Sequence, residues 1–236
     1  MKLCCCYTPA HEQLFRDYFL PSVEQSTFEL TASFLDIAGT GNFLAQDFLD
    51  CIRRKLALIE ASIESHTGEI IVWADVDIVF SGEVKSVVND LFGKDRQLKL
   101  LFQREGHHLP DVNTGFIAIR CDEETREFFR DVSSRLNREP SKNEQAVVND
   151  LLQAGTTIRW EYLPWTFYAR THGWPPPRTA ILYHANYTKG TNGVGQKIDQ
   201  LREYLAIRQS EWRRIWSCLK RVPGKLRAKF IRQALS

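Results

Sequence analysis

Short apolar runs alternate along the chain with longer amphipathic segments. The apolar runs predict strands over residues 2–7, 28–35, 69–74, 98–102, 115–119, 157–163 and 180–183. Helical spacing predicts helices over residues 10–24, 46–65, 84–92, 123–137 and 143–153, with a basic helical segment from about residue 197. Strands that alternate with helices predict an α/β fold with a mostly parallel sheet.

In such sheets, ligands bind beyond the carboxyl ends of the strands. The residues that directly follow each predicted strand are therefore the most informative. Two of the intervening stretches, residues 36–42 and 104–112, read as loops.

The composition is that of one ordinary globular domain with a small appendage. The chain has 236 residues, of which 43% are hydrophobic and 25% charged, which excludes collagen and intrinsic disorder. No apolar run is long enough to span a membrane, and the apolar run after Met1 is too short for a signal peptide, so we expect a cytoplasmic protein. The six cysteines form no Cys-x-x-Cys pair, which favours free thiols over a metal site.

Charge divides the chain into two unlike regions. The formal net charge of +2 combines −6 over residues 1–201 with +8 over residues 202–236. We therefore predict a main domain over residues 1–200 and a basic amphipathic tail over residues 201–236. Tryptophan and leucine recur among the basic residues of the tail, which is typical of a helix lying on an anionic membrane surface. Packing of the first half of the tail on the main domain is the alternative, and the acidic charge of the main domain argues against nucleic acid.

The sharpest local feature is a pair of carboxylates after a strand. Asp75 and Asp77 follow the apolar run that ends at Ala74. If the chain stays extended there, both side chains share a face and can reach one divalent cation. Solvated turn residues are the plainer interpretation.

Two chemistries use such a pair. Phosphatases of the haloacid dehalogenase type use the first Asp as a nucleophile and the second as a general acid, and Asp75 to Val79 fits their Asp-x-Asp-x-Val pattern. Glycosyltransferases use the pair to hold a metal ion on the diphosphate of a nucleotide sugar. Here 74 residues precede the pair and no late acidic pair follows, which favours the second chemistry.

Three later segments extend the pattern in order. Asn113-Thr-Gly115 is followed by a hydrophobic run, Glu144-Gln145 opens a helix, and His184 precedes Gly190 and Lys197. This order resembles nucleotide-diphospho-sugar transferases of the GT-A fold, in particular the retaining galactosyltransferase and glycogenin-like groups, over roughly residues 2 to 200. Glu144 departs from the family pattern, which usually has Asp before the Gln.

The resemblance implies a Rossmann-like GT-A fold and a role for each segment. Asp75, Asp77 and His184 become ligands of Mn²⁺ or Mg²⁺, with Asp75 also near the ribose. The implied contacts to the nucleotide sugar come from Tyr7, Thr8, Lys55, Asp75, Gly115, Asn186, Lys189 and Lys197. The resemblance does not decide which of Lys189 and Lys197 reaches the β-phosphate, and either can be a plain surface lysine.

The resemblance places the implied catalytic residues beside the donor sugar. Asn113 can bind sugar hydroxyls, and a carboxylate or amide of Glu144 or Gln145 can face the anomeric carbon. As plain structure, Asn113 is a turn residue and Glu144 sits in an ordinary first helical turn. Aromatic residues between 164 and 178 predict an acceptor site there: Trp165, Phe167, Tyr168, His172 and Trp174.

These observations predict a metal-dependent glycosyltransferase. It would move a sugar from a nucleoside diphosphate, most simply UDP, to a glycan or glycolipid with retention of configuration. The competing hypotheses are the phosphatase and a non-catalytic nucleotide-sugar-binding protein.

Overall fold

The fold is a mixed α/β arrangement, seen in a computed structural model that describes residues 1–39, 46–107 and 110–221. The strands of these residues are β1 Lys2–Tyr7, β2 Glu29–Phe34, β3 Ile70–Ala74, β4 Ile78–Phe80, β5 Leu100–Arg104, β6 Val112–Arg120, β7 Trp160–Tyr162, β8 Phe167–Ala169 and β9 Leu182–His184. The α-helices are α1 Glu12–Leu14, α2 Leu20–Glu24, α3 Gln46–Ser65, α4 Val84–Lys94, α5 Glu123–Arg138, α6 Glu144–Gln153, α7 Gly193–Gln209 and α8 Glu211–Arg221. A π-helical segment, Phe15–Phe19, joins α1 to α2.

Six strands form the central sheet, in the order β2-β1-β3-β6-β5-β7. Strand β1 is parallel to β2 and β3, and β5 is parallel to β7, whereas β6 is antiparallel to both of its neighbours. The predicted fold class, a mixed and mostly parallel sheet flanked by helices, is therefore confirmed.

Helices cover both faces of this sheet because its central strands are apolar on both faces. In β3, residues 71–74 are at most 1% exposed. One face packs against α3, α5 and α6, and Ile52, Leu56 and Ile59 of α3 belong to that core. The opposite core includes α1, α2, α4 and α7.

A second, three-stranded sheet has the order β4-β9-β8 and was only partly predicted. Strands β4 and β8 have three residues each, too short for a periodic signal. Strand β8 corrects the acceptor prediction, because Phe167 and Tyr168 belong to the core at 1% and 7% exposure. Trp165 remains exposed just before it.

The elements otherwise match the prediction to within a few residues. Helix α3 has the predicted bounds, β6 starts three residues earlier than predicted, and β5 covers 100–104 instead of 98–102. The predicted loop 36–42 is described only as far as Gly39, and residues 222–236 of the predicted tail lie outside the described residues. Nowhere in the described ranges does a helix combine the length and the apolarity needed to cross a bilayer.

Candidate active site

The predicted site residues gather at one edge of the central sheet. Strands β1, β3 and β5 end at this edge, and β6, which runs the other way, begins there. A cleft opens beside it. It is lined by Cys6, Tyr7, Thr8, His11, Ile37, Gly39, Asp47, Phe48, Cys51, Ile52, Lys55, Asp75, Val76, Asp77, Glu144 and Lys197.

Asp75 and Asp77 line this cleft and form a cluster with His184. One ligand atom of each side chain lies within 4.8 Å of the others. The pairing of β4 with β9 creates the cluster, because it sets Ile78 opposite His184 and lets the Ala185 N–H donate to the Asp77 carbonyl at 3.0 Å. The extension of the β3–β6 ladder holds Asp75, whose N–H donates to the Gly115 carbonyl at 2.7 Å.

The donor set fits a divalent cation such as Mn²⁺ or Mg²⁺. Two carboxylates with one imidazole are suitable ligands for Mn²⁺. Asp77 is 4% exposed, and its Oδ1 is buried without a hydrogen-bond partner. That oxygen lies 3.2 Å from His184 Nε2, so both atoms border the same small space. A bound cation would satisfy both of them.

Gly115 makes room for the imidazole of this cluster. A Cβ at position 115 would lie 2.3 Å from His184 Cε1 and 2.9 Å from Nε2. The sequence argument assigned the glycine to a close approach of the sugar, whereas the structure fills the space above it with His184.

Two lysines neutralise the carboxylates. Lys55 is 6% exposed, and its Nζ lies 2.9 Å from Asp75 and 3.0 Å from Glu144. Lys197 Nζ lies 2.7 Å from Asp77. Burial alone would raise the pKa of Asp77, but the ammonium of Lys197 outweighs it and holds this pKa below its ordinary value.

Of the two candidate phosphate lysines, the structure brings only Lys197 to the cluster. Lys189 is exposed, and its Nζ lies 5.4 Å from the centre of the Tyr187 ring. Asn186 is half-buried, and its amide donates to Thr171 Oγ1 at 3.0 Å.

Glu144 and Gln145 have different surroundings. Glu144 is 8% exposed and accepts hydrogen bonds from Lys55 and from Thr114 Oγ1. The Gln145 amide accepts from the Thr114 N–H at 3.3 Å and donates to Glu105 at 3.3 Å. Glu144 is thus neutralised by a lysine, while Gln145 lies beside a second carboxylate.

That second carboxylate, Glu105, was missed by the sequence argument. It follows β5, accepts from the Asn113 amide at 2.5 Å, and lies 3.5 Å from the Asn186 amide. Burial raises the pKa of Glu105 above its ordinary value. The rule that residues directly after a strand are informative would have found it, had β5 been predicted to end at Arg104 instead of residue 102.

Helix α6 holds Glu144 and Gln145 in place through two asparagines. Asn143 caps the helix, and its side chain accepts from the Ala146 N–H at 2.8 Å. Asn149 bonds both backbone groups of Val112, accepting from its N–H at 2.7 Å and donating to its carbonyl at 3.0 Å. The first turn of α6 is therefore fixed against the start of β6.

The far end of the cleft has an aromatic wall. The Tyr7 ring stacks on Phe15, with centroids 4.1 Å apart, and meets Phe34 edge-on. Thr8 is 5% exposed, and its Oγ1 lies 2.8 Å from His11 Nδ1. One face of Tyr7 is thus occupied by Phe15, as expected for a packed aromatic residue at a strand end.

Solved structures similar to this chain are glycosyltransferases. One is a glycosyltransferase involved in the glycosylation of the major capsid of PBCV-1, with a TM-score of 0.57 and 11% identity over 86% of this chain and 100% of that one. Another is GlyE of Streptococcus pneumoniae TIGR4, with a TM-score of 0.54 and 12% identity over 87% of this chain. This chain spans 63% of the GlyE chain. No curated protein sequence matches it significantly.

The sheet order, the carboxylate pair after β3 and these neighbours define a glycosyltransferase of the GT-A fold. The sequence profile described as nucleotide-diphospho-sugar transferase matches residues 18–201. The chain therefore belongs to the nucleotide-diphospho-sugar transferase family, which confirms the resemblance inferred from its motifs. Membership in this family excludes the phosphatase as an interpretation of the fold.

Proposed function

We propose that this glycosyltransferase uses a divalent metal ion at Asp75, Asp77 and His184 to bind a nucleoside diphosphate sugar, with UDP as the nucleotide. The observation that carries the proposal is the cluster itself, whose ligand atoms lie within 4.8 Å of one another. When bound, the ion supplies positive charge to the leaving diphosphate. Mn²⁺ and Mg²⁺ both fit the donor set.

The lysines complete the binding of the diphosphate. Lys197 is the lysine at the cluster, so it is our candidate for the β-phosphate. Lys55 holds Asp75 and Glu144 together through an ion pair to each carboxylate. Tyr7 and Thr8 line the same cleft on the side where we place the nucleoside.

The donor sugar is assigned to the neighbourhood of Gln145, Asn113 and Glu105. Their amide and carboxylate groups form one hydrogen-bonded set, which suits the hydroxyls of a sugar. Asn186 belongs to the same set through Glu105. Retention of configuration is part of the proposal, with Gln145 facing the anomeric carbon and Glu144 holding Lys55.

A glycan or glycolipid is the proposed acceptor. Trp165 is 40% exposed near this set, and its indole is stacked with His107 at 4.3 Å between centroids. Exposed aromatic rings of this kind suit sugar rings.

The tail is proposed to bring the enzyme to an anionic membrane surface. Helix α8 exposes Trp212, Ile215 and Trp216 along one side, at 74%, 41% and 51% exposure. Its other side packs on the catalytic domain through Ser217, which is 9% exposed and accepts from the Trp174 indole N–H at 2.5 Å. The exposed apolar side of α8 and its packed opposite side both suit a cytoplasmic enzyme that reaches its acceptor at the membrane surface.

The proposed start of the tail needs one adjustment. The predicted division at residue 200 lies inside α7, where Leu201 and Tyr204 are at most 1% exposed. We therefore assign α7 to the catalytic domain and start the tail at α8.

Thermal unfolding with UDP, with and without Mn²⁺, tests the metal and the nucleotide. We expect UDP to raise the melting temperature only when Mn²⁺ is present. The Asp77→Asn variant should lose this response, because it removes one anionic ligand from the cation. The Asp90→Asn variant is the matched control, since Asp90 is an exposed carboxylate on α4. A UDP response without Mn²⁺, or one that survives in Asp77→Asn, would contradict the proposal.

A further inference from the structure

Gln103 is a fully buried polar residue of strand β5. It follows Leu100, Leu101 and Phe102 in β5 and is 0% exposed. Burying an amide is unfavourable unless its hydrogen bonds are made inside the protein. Both ends of this amide are in fact used, and one of them contacts the candidate metal centre.

The orientation of the Gln103 amide is fixed by its nitrogen. Its Nε2 donates to the Phe167 carbonyl at 3.1 Å, so its Oε1 points the other way. There it lies 2.8 Å from His184 Nδ1. An amide oxygen only accepts hydrogen bonds, so the proton of this bond belongs to His184 Nδ1.

The other nitrogen of the same imidazole faces Asp77. In a neutral imidazole with its proton on Nδ1, Nε2 carries a lone pair. Nε2 lies 3.2 Å from Asp77 Oδ1, yet this buried oxygen has no hydrogen-bond partner. Two acceptor atoms this close repel each other, and a cation bound between them would remove that repulsion.

A break in the strand register accompanies the position of Gln103. The β5–β6 pairing shifts between Phe102 and Gln103, so that Gln103 lies opposite Asn113. Irregularities of this kind re-aim a side chain, and they are common next to active sites. Gln103 therefore pairs with β6 in a different register from the apolar residues Leu100 to Phe102.

We propose that Gln103 is a positioning residue of the metal centre, which holds His184 in the Nδ1–H tautomer with Nε2 ready to ligate the cation. This inference rests on the metal centre of the proposed function and adds the residue that orients its imidazole. Groups that bind the far nitrogen of a ligating histidine fix its ring and raise its basicity.

The test compares Gln103→Met and Gln103→Glu with the wild type. The first variant keeps the length of the side chain but removes the acceptor, and the second keeps an acceptor oxygen. Gln97→Met is the matched control, because Gln97 is exposed between α4 and β5. Two quantities are measured: the tautomer of His184 in the metal-free protein, by ¹⁵N–¹H correlation NMR, and the Kd for Mn²⁺, by electron paramagnetic resonance.

We expect the Nδ1–H tautomer in the wild type and a mixture of tautomers in Gln103→Met. The Kd for Mn²⁺ should rise roughly 10- to 100-fold in Gln103→Met and stay within about threefold of the wild type in Gln103→Glu and Gln97→Met. Because Gln103→Glu keeps the acceptor, it separates the role of that acceptor from a general loss of folding in Gln103→Met.

Two results would overturn the inference: an Nε2–H tautomer in the wild type, or a folded Gln103→Met variant that binds Mn²⁺ as tightly as the wild type. If the proposed metal centre itself is wrong, the wild type binds no Mn²⁺, which is a different result from either of these two. The tautomer of the metal-free protein still decides the role of Gln103 in that case.

Discussion

Lys55 illustrates, at the scale of single residues, how the site tolerates buried charge. A buried ammonium is unfavourable by itself, and burial alone would lower the pKa of Lys55. The carboxylates of Asp75 and Glu144 outweigh that effect and raise the pKa, so the lysine stays charged. Helical spacing by itself predicts only a solvated basic residue at position 55, because it does not reveal that β3 ends and β6 begins beside this part of the helix.

The fit between Gly115 and His184 leads to a prediction. In Gly115→Ala, the added Cβ would lie within 2.3 Å of His184 Cε1, so the imidazole must move. We expect the Kd for Mn²⁺ to rise at least about tenfold, because the ring can no longer hold its ligating position. Isothermal titration calorimetry with Mn²⁺ measures this, and Gly93→Ala, where a Cβ meets nothing within 4 Å, is the control. Equal Mn²⁺ affinities in the wild type and Gly115→Ala would contradict this prediction.

His172 gives a prediction on pH. It is 6% exposed, its Nε2 donates to the Arg104 carbonyl at 2.7 Å, and its Nδ1 accepts from the Ala169 N–H. Burial, with the nearby charges of His107 and Arg104, lowers its pKa from 6.5 to about 4. The neutral ring fits both bonds, whereas a proton on Nδ1 would face a second donor.

The free energy of unfolding depends on pH because the folded and unfolded states bind the His172 proton with different affinities. Between pH 6.5 and pH 4 the unfolded chain binds the proton and the folded protein does not, so stability falls as the pH falls through this range. We expect His172 to contribute a loss of about 2 kcal/mol in the free energy of unfolding between pH 7 and pH 5. Urea denaturation at both values measures it. The loss should shrink by that amount in His172→Gln, and an unchanged difference would refute the assignment.

At the scale of elements, the sequence predicts what is long and periodic. Helix α3 and strand β3 could be read directly, because their apolar residues recur over many positions. Strands β4 and β8 could not, since three residues carry no period, yet the pairing of β4 with β9 is what brings His184 to Asp77. The cluster of Asp75, Asp77 and His184 was thus predictable from motif order. Gln103 and Glu105 depended on strand register and strand ends that only the structure provides.

The contact between α6 and β6 gives a prediction at this scale. Asn149→Ala removes the partners of the Val112 N–H and carbonyl, and Val112 is 0% exposed. Leaving these buried groups unpaired should lower the free energy of unfolding by about 2 kcal/mol. It should also raise KM for the donor, because Glu144 and Gln145 lose their anchor. Chemical denaturation and steady-state kinetics measure both effects. Asn137→Ala on the exposed side of α5 is the control, and a variant as stable as this control would refute the prediction.

At the scale of the whole molecule, the charges at the candidate site are paired, whereas the region from Arg202 onward carries a surplus of positive charge. The sheet gathers acidic and basic side chains at one edge, where they neutralise each other in pairs. The surplus positive charge lies in the region from Arg202 onward, which carries +8 against −6 for the rest of the chain. The amphipathic pattern of the tail was readable from the sequence. Which side of α8 faces the domain was not, because it depends on the contact of Ser217 with Trp174.

The exposed side of α8 yields the prediction for membrane binding. Replacing Trp212 and Trp216 together by serine removes the indole rings that would enter the lipid interface, while Ser217 keeps its contact with the domain. We expect binding to vesicles of phosphatidylcholine and phosphatidylglycerol to weaken at least about tenfold. Binding of the wild type should also fall as salt is raised, because the tail is basic. Co-sedimentation measures both effects.

The Trp165→Ser variant, which removes an exposed indole outside the tail, should bind vesicles as the wild type does. If the double variant sediments equally well, or if the wild type prefers neutral vesicles, α8 is not the membrane contact and its exposed side must serve another partner.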